Sequence, residues 1–361
     1  MKHTYFRKVL VLPDAGPKNP FQYLLVGFLR RNGLEVHLAP KLKLFTLFKA
    51  VNKTNPDVVY FDWIHSFILG KNVVSTLIKS LTFFVEIIYL HYYRSIPIIH
   101  TIHNIQNHNR LSLHLEKLLY RFFLLRCFKI RVYSGAVKKE VIAAFKLSPD
   151  RIYVVQDIPF HHYYPNSATK TESRLQLGIG KKDFIFLFFG RIAQYKGIEN
   201  LIDAFIKIAR AGDKLIIAGE HMDQKYFLKL KALSNERPDI IWYSHFIEKD
   251  SVQYFFNAAN IVVLPFAKID HSGSIDLSLS FARPVITLDT GANRSLLSHQ
   301  KDLLFKYPSQ LAATMNKAGD MDLNTIEKQN FRIADAAHYS RLLTLFQKSG
   351  HHESTFRHEY I

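Results

Sequence analysis

The chain has 361 residues, more than the roughly 250–300 residues at which a single hydrophobic core stops growing, so two domains are expected. Hydrophobic residues make up 48% and charged residues 22%, a balance that excludes long disordered tracts. The lone cysteine, Cys127, excludes a disulfide scaffold and a Cys-based zinc site. The first residues do not have the layout of a signal peptide, and we expect a cytoplasmic location.

The charge is distributed unevenly along the chain. The whole sequence carries 48 Lys+Arg against 30 Asp+Glu, a formal net charge of +18. Residues 1–165 hold 23 basic and 9 acidic side chains, a net charge of +14 that leaves +4 for the remainder. An excess confined to one half indicates that this half faces an anionic partner, either nucleic acid or a phospholipid surface.

The first half alternates short apolar strands with helical segments. A helix is predicted over 21–31 by its apolar spacing and by the C-terminal cap signal Asn32-Gly33. The stretch 73–93 approaches membrane-spanning length, but Lys79 and Glu86 within it favour a buried or interfacial helix. Strands are predicted over 8–12, 36–39, 57–61, 96–102, 130–133 and 152–155. This alternation indicates an α/β fold with a mostly parallel, doubly wound sheet.

A polar stretch over 161–174 reads as a linker, and the same pattern restarts after it. A final amphipathic helix is predicted over about 325–347. Further strands are predicted over 183–189, 214–219, 240–243, 261–264 and 284–287. We therefore expect two tandem Rossmann-like domains, 1–165 and 166–330. A helix and tail over 331–361 follow, and this segment could pack back toward the first domain.

The strongest chemical signal lies where the first strand of the second half ends. Gly190 ends the strand, the loop carries Arg191 and Lys196, and a helix begins near Gly197. Two cations beside a helix N-terminus form a suitable diphosphate site. The alternative interpretation is a basic surface loop with a glycine hinge.

This segment resembles the Gly-Arg-x4-Lys-Gly motif of nucleotide-sugar-dependent glycosyltransferases of the two-domain GT-B fold, especially the group 1, or family 4, class. The resemblance continues through the second half to the strand-end segment Ala218-Gly219-Glu220 and the loop Ser272-Gly273-Ser274. It implies that 166–330 binds the nucleotide sugar and 1–165 the acceptor, with a cleft between them. The donor-binding residues that it implies are Gly190, Arg191, Lys196, Phe246, Ile247, Ser272, Gly273, Ser274 and Asp276.

The sequence departs from this family at one place. Many members have two glutamates eight positions apart that contact the donor sugar and the ribose, and those positions fall on Ile269 and Leu277 here. Asp270 and Asp276 are the carboxylates nearby. In their place Ser272 begins a Ser-Gly-Ser sequence at a predicted helix N-terminus, which could cradle a phosphate or act as an ordinary N-cap. Donor sugar and stereochemical outcome stay open.

The first half resembles a bacterial exopolysaccharide and lipopolysaccharide branch of these enzymes. Asn19-Pro20-Phe21 is similar to the Asn-Pro-Tyr opening of that branch's first helix. His103, Asn104 and His108 match its His-Asn-x3-His motif at a strand end. The resemblance implies a catalytic role for His103 and acceptor-side roles for Asn19, Asn104 and His108, although each histidine could be structural.

Two further residues have both a functional and a structural interpretation. Asp14 lies in the first strand-to-helix loop, where inverting relatives of this fold often keep a catalytic base, but Asp is also a common turn former. Trp63 follows a strand and could stack on an acceptor sugar or pack in the core.

We expect a hexosyltransferase that uses a UDP- or GDP-sugar and acts on a glycan or lipid-linked acceptor in surface-polysaccharide synthesis. No metal or other cofactor is expected, because Asp320-Met321-Asp322 reads as a turn with a helix cap. The alternatives are a non-catalytic nucleotide- or glycan-binding protein, a nucleotide-sugar epimerase and a soluble disaccharide synthase.

The basic first domain favours a peripheral location at the inner face of the cytoplasmic membrane. The segments 41–49 and 120–129 mix cations with phenylalanine and leucine, as in helices that lie in an anionic lipid interface. The alternative is core-facing helices whose lysines and arginines extend to water. Nucleic acid is not expected as a partner, because no binding module is recognised.

Overall fold

The structure, a computed structural model, describes residues 5–16, 19–39, 44–103, 113–266, 272–335 and 338–348. It divides into two compact units. The first comprises the described parts of Met1–Val132, Lys138–Gln156 and His338–Ile361, and the second those of Tyr133–Val137 and Asp157–Ala337. The polar stretch after Gln156 goes with the second unit, where the Phe160 amide donates to Ser280 Oγ at 2.9 Å.

The first unit is built on a six-stranded parallel sheet of order β2-β1-β3-β4-β5-β6. Its strands are β1 (Lys8–Leu12), β2 (Glu35–Leu38), β3 (Val58–Phe61), β4 (Ile98–Thr101), β5 (Lys129–Val132) and β6 (Ile152–Val154). Its helices are α1 (Pro20–Arg31), α2 (Thr46–Thr54), α3 (His65–Ile68), α4 (Val73–Ile88), α5 (Leu113–Leu124) and α6 (Gly135–Phe145), with a π-helical turn over Tyr89–Tyr93 and a 3-10 turn over Pro149–Arg151.

The central strands of this sheet are apolar runs that lie buried on both faces, as expected of parallel strands covered by helices. Residues 9–12 of β1 and all four residues of β3 are fully buried. Helix α1 has Pro20 at its first position, where the missing N–H has no intrahelical partner to lose. It ends before Gly33, whose φ of +83° is the left-handed conformation that terminates helices.

The second unit has a second six-stranded parallel sheet, of order β12-β11-β10-β7-β8-β9. Its strands are β7 (Phe184–Phe189), β8 (Asp213–Ala218), β9 (Ile240–Tyr243), β10 (Ile261–Leu264), β11 (Val285–Leu288) and β12 (Leu304–Phe305). Its helices are α7 (Lys170–Gln176), α8 (Ile198–Ile208), α9 (Gln224–Leu233), α10 (Val252–Ala258), α11 (Gly273–Ser280), α12 (Gly291–Leu296), α13 (Leu311–Ala318) and α14 (Leu323–Asp335). Shorter 3-10 segments cover Phe160–His162, Gln194–Lys196, Lys249–Ser251, Ser298–Leu303 and Pro308–Gln310.

Two tandem parallel sheets confirm the predicted fold class. The edge strand β12 was not predicted, because two residues are too short to produce a recognisable apolar alternation.

The predicted helix over 325–347 is wrong as a single element. It consists of α14 in the second unit and a 3-10 helix, His338–Phe346, in the first. Helix α14 is held to its own unit by an ion pair between Glu327 and Arg283 at 2.8 Å. In the first unit the Phe6 amide donates to Phe346 O at 2.9 Å. The two parts therefore satisfy their polar groups and bury their apolar faces on different cores.

Candidate functional site

In the second unit, a basic loop joins β7 to α8. Gly197 caps α8 with a φ of +68°, and a Cβ at this position would lie 2.3 Å from Pro265 O. Only glycine fits, because a side chain would both strain the backbone and collide with the chain that follows β10. The loop after β7 is thus pressed against the loop after β10.

The two cations of this loop lack an anionic partner in the described part of the chain. Lys196 Nζ lies 4.3 Å from the ring centre of Phe266 and 5.1 Å from that of Tyr195. Burial, together with the smaller effect of the nearby Arg191 charge, lowers the pKa of Lys196 to about 8. Among the described residues, neither cation pairs with a carboxylate. Two neighbouring cations held without counter-charge form an anion site.

Close backbone contacts bring the start of α11 beside this loop. Gly190 and Gly219 have φ of +135° and +146°, and a Cβ on Gly219 would lie 2.0 Å from Gly190 O. A Cβ on Gly190 would lie 3.5 Å from Ser274 Oγ. Ser272 caps α11 by accepting a hydrogen bond from the Ser274 amide at 3.3 Å. The glycine-arginine segment and the Ser-Gly-Ser segment, which lie about 80 positions apart in the sequence, therefore meet at one end of the sheet.

The remaining predicted donor residues lie at neighbouring strand and helix ends. Phe246 and Ile247 follow β9, with Ile247 buried and Phe246 half-buried. Asp276 is half-buried in the first turn of α11. Leu277, where the family's second glutamate would stand, is a buried apolar side chain. Ile269 and Asp270 lie outside the described residues.

In the first unit, polar side chains follow three neighbouring strands. Asp14 follows β1, Trp63 follows β3 and His103 follows β4. Strand β3 pairs with both β1 and β4 in parallel register, so the carboxyl ends of these strands lie side by side. In open α/β sheets this edge is where ligands bind.

His103 is held rigidly at this edge. Its Nε2 donates a hydrogen bond of 2.7 Å to Asp62 Oδ1, and the Asp62 side chain is fully buried. The imidazole stacks on Trp63 with ring centres 4.7 Å apart and planes 13° apart. Phe21 meets the imidazole edge-on at 5.5 Å. The carboxylate fixes the tautomer and the orientation of the ring, an arrangement suited to proton transfer.

Sequence reasoning missed two buried charged residues in or next to strands of the first sheet. Asp62 directly follows β3, and the expected pairing of β3 with β4 could have placed it beside His103. Arg131 on β5 is buried and donates to Val155 O at 3.1 Å and to Gln156 O at 2.8 Å. An arginine inside a predicted buried strand was a visible signal, because such a charge needs partners.

Two of the other predicted residues of this unit lie between β1 and α1. The Asp14 carboxylate accepts hydrogen bonds from the Gly16 amide at 2.9 Å and the Tyr23 hydroxyl at 3.3 Å, so it closes the loop as a turn former does. Asn19 occupies the N-cap of α1 without a side-chain cap bond. Asn104 and His108 lie outside the described residues.

Within the described ranges, no group of three or more His, Cys, Asp or Glu residues could hold a metal ion. Asp320 pairs with Arg210 at 3.1 Å. Asp322 accepts from the Asn324 amide and the Thr325 hydroxyl at the start of α14. The Asp-x-Asp sequence is thus engaged in a surface ion pair and a helix cap.

Comparison with known proteins gives matches in sequence and in fold. Residues 169–333 match the family described as glycosyl transferases group 1. An uncharacterized glycosyltransferase of Methanocaldococcus jannaschii is 27% identical over 48% of this chain and 46% of its own length. The GDP-mannose:glycolipid 4-beta-D-mannosyltransferase of Xanthomonas campestris pv. campestris is 23% identical over 66% of this chain and 63% of its own. The chain thus spans less than two thirds of these curated relatives.

The fold is shared over nearly the whole chain. Anabaena HepE, solved in complex with UDP and glucose, superimposes with a TM-score of 0.70 at 14% identity, covering 94% of this chain and 99% of HepE. At that identity the likeness establishes the fold. The second unit thus matches the group 1 glycosyltransferases over residues 169–333, and the whole chain has the GT-B fold.

Proposed function

We propose that this protein transfers a hexose from a UDP- or GDP-sugar to a glycan or lipid-linked oligosaccharide in surface-polysaccharide synthesis. The observation that carries the proposal is the cation pair Arg191 and Lys196, which has no carboxylate partner among the described residues and lies before α8. The Xanthomonas relative is named for GDP-mannose and HepE was solved with UDP, which supports these two donor classes.

The second unit would stabilise the departing diphosphate. Negative charge develops on the bridging oxygen as the bond to the sugar breaks, and preorganised cations and N–H groups lower the energy of that charge. Arg191, Lys196 and the amide groups of Gly273 and Ser274 are the groups that we assign to this role. The burial that lowers the Lys196 pKa also strengthens its attraction for phosphate, because less water screens the charge. We propose that this donor set acts without a divalent ion.

The first unit would bind and activate the acceptor. We assign to His103 the acceptance of a proton from the attacking hydroxyl, and to Asp62 the positioning of its imidazole through the 2.7 Å hydrogen bond. Trp63 would provide an apolar face for a sugar ring. Asp14, Asn19, Asn104 and His108 remain proposals for this side of the site.

We also propose a location at the inner face of the cytoplasmic membrane. The support is the net charge of +14 on residues 1–165, since anionic lipid attracts lysine and arginine near its surface. Nucleic acid is not proposed as a partner.

The test is a panel of UDP-, GDP-, dTDP- and ADP-sugars followed by thermal shift, with transfer or donor hydrolysis measured for each sugar that binds. We expect stabilisation by UDP- or GDP-sugars that is lost in Arg191→Ala and kept in Lys207→Ala. Lys207 is a suitable control because it is exposed on α8 and pairs with Asp203. No binding in any arm would refute the proposal.

One rival is favoured by a specific observation, the buried Leu277 at a position where the family resemblance implies a glutamate. It is a nucleotide-binding protein of the same fold without catalysis. Sugar release or transfer from a bound donor excludes it, whereas binding without any turnover supports it.

A further inference from the structure

Helix α4 of the first unit exposes an apolar face. Val73, Leu77, Leu81 and Val85 follow one another at intervals of four and form a single stripe along the helix. With Val74 and Ile78 beside them, these six residues are each 50–66% exposed. Contiguous exposed apolar patches of this kind mark sites that contact a membrane or another protein.

The buried face of the same helix carries polar groups. Ser80 Oγ donates to Ile68 O at 3.2 Å, and Glu86 Oε1 accepts from the Phe48 amide at 2.9 Å. Thr76 is also buried. Phe83 and Ile87 are buried there too, so α4 is apolar on its exposed face as well as on its buried one. A surface helix surrounded by water carries polar side chains on its outer face, and the exposed apolar stripe of α4 therefore indicates an apolar medium outside it.

Helix α5 extends the apolar surface. Phe122 of α5 contacts Phe84 of α4 with ring centres 4.5 Å apart. Leu118 lies one turn before Phe122, and Leu125 lies one turn after it, just past the end of α5. Both are exposed. The surface formed by the exposed residues of α4 together with Leu118 and Leu125 is called the α4–α5 face below.

The charges around the α4–α5 face are cationic. The acids within α4 and α5 are Glu86 and Glu116, and both are buried. Lys71, Lys117 and Arg121 are exposed in or next to these helices. An apolar face with basic and no exposed acidic side chains suits anionic phospholipid. A second copy of the same face would bring like charges together, which disfavours self-association.

The helix is fixed along its length to the first unit. The stretch Val73–Tyr93 is long and apolar enough to cross a membrane by length and composition, but 33% of its most apolar window is buried inside the protein. Lys79 Nζ donates to Ser66 O and Leu69 O, at 3.1 and 3.0 Å. A spanning helix would lose these bonds and expose Ser80 and Glu86 to lipid, whereas a helix lying in the interface keeps them.

We infer, building on the membrane association proposed above, that the α4–α5 face is the surface through which this protein lies on an anionic phospholipid bilayer, with α4 parallel to the membrane plane. Of the two segments predicted from the sequence, 120–129 contributes Arg121 and Leu125, and 41–49 exposes Leu44, Phe45 and Phe48. Lys129 is buried and donates to Thr344 O and Gln347 O, and Tyr120 is also buried. Residues 41–43 lie outside the described residues.

The test is co-sedimentation of the full chain with vesicles of phosphatidylcholine alone and with added phosphatidylglycerol. We expect binding to the anionic vesicles that falls at least tenfold in the triple variant Leu77→Gln, Leu81→Gln, Val85→Gln. A matched control, Leu175→Gln, Leu228→Gln, Phe331→Gln, removes three exposed apolar side chains from the second unit and should bind as the unchanged protein does. Unchanged binding by the α4 variant would overturn the inference.

A second measurement avoids the triple substitution. A fluorescent label is attached at Val74→Cys or at Val85→Cys, and the depth of each label in the bilayer is measured by quenching. The native Cys127 is buried, and burial raises the pKa of its thiol, so it should not react. The two sites are about 16 Å apart along the helix. Quenchers in the bilayer should report the same shallow depth for the two labels if α4 lies parallel to the membrane. Clearly different depths for the two labels would show a spanning helix instead.

Two further measurements distinguish a membrane-binding face from a dimer interface, and the membrane inference from the proposed transferase activity. A dimer in sedimentation velocity that disappears in the α4 variant would assign the face to a second copy and overturn the inference. Nucleotide-sugar binding that persists in the α4 variant shows that the second unit is intact. Vesicle binding without any donor binding or transfer would refute the proposed function and leave the membrane surface standing.

Discussion

Replacing Lys196 with Met tests the diphosphate site most directly, because it removes the charge and keeps most of the side chain's apolar length. A charge-assisted hydrogen bond to phosphate contributes about 1.5–3 kcal/mol, which is about 10- to 150-fold in Kd. The ammonium is packed over Phe266 and is mostly shielded from water, and we therefore expect a loss in the upper half of that range. Lys196→Arg should retain most of the affinity.

The lowered pKa of Lys196 adds a pH signature. With a pKa of about 8 in the free protein, the fraction of charged Lys196 falls about tenfold between pH 7 and pH 9. Bound diphosphate raises that pKa, so binding takes up a proton and affinity falls as pH rises. The Kd of a nucleotide sugar should therefore be about tenfold weaker at pH 9 than at pH 7.

Isothermal titration with the best donor sugar at several pH values measures both effects. The pH dependence should vanish in Lys196→Met and in Lys196→Arg, since neither side chain titrates in this range. Lys207→Ala is the control for an exposed lysine on the adjacent helix. Equal affinity of Lys196→Met and the unchanged protein, or a pH dependence that survives in it, would refute the placement of the diphosphate beside Lys196.

Three further predictions concern the two units separately. Asp62→Asn should lower kcat at unchanged donor Kd, because it weakens the hydrogen bond that orients His103, and a change in donor Kd alone would contradict this role. A non-glycine residue in the left-handed conformation costs about 1–2 kcal/mol. Gly197→Ala should lower the free energy of unfolding by more than this, since the new Cβ also meets Pro265 O. Gly178→Ala is its matched control, with a φ of +66° and open space around it, and urea unfolding should show the smaller loss for Gly178→Ala. Transfer activity should survive EDTA, and a loss that Mg²⁺ or Mn²⁺ restores would show a metal-dependent reaction.

Local sequence was sufficient for most of the secondary structure. Apolar runs bounded by turn residues predicted β9 and β10 at their observed ends, because buried parallel strands need continuous apolar side chains. The cations Arg191 and Lys196 were also visible, since they lie five positions apart in one strand-to-helix loop.

The hydrophobic periodicity of the sequence could not predict contacts between distant segments. The hydrogen bond between Asp62 and His103 joins residues 41 positions apart. The packing of Lys196 on Phe266 joins residues about 70 positions apart, and their pairing depends on which strands are neighbours. Strand order in a sheet is set by helix packing over the whole domain, which a local pattern does not report.

The chain's own sequence therefore determined two parallel sheets, a basic first half and a strand-to-helix loop with two cations, because each is a property of neighbouring residues. Tertiary structure decided the remaining features. It divided 325–347 between two cores, buried Asp62 beside His103 and left an apolar stripe of α4 exposed. A helical pattern shows that one face is apolar but not which side the rest of the protein covers, and only packing against the first sheet settles that.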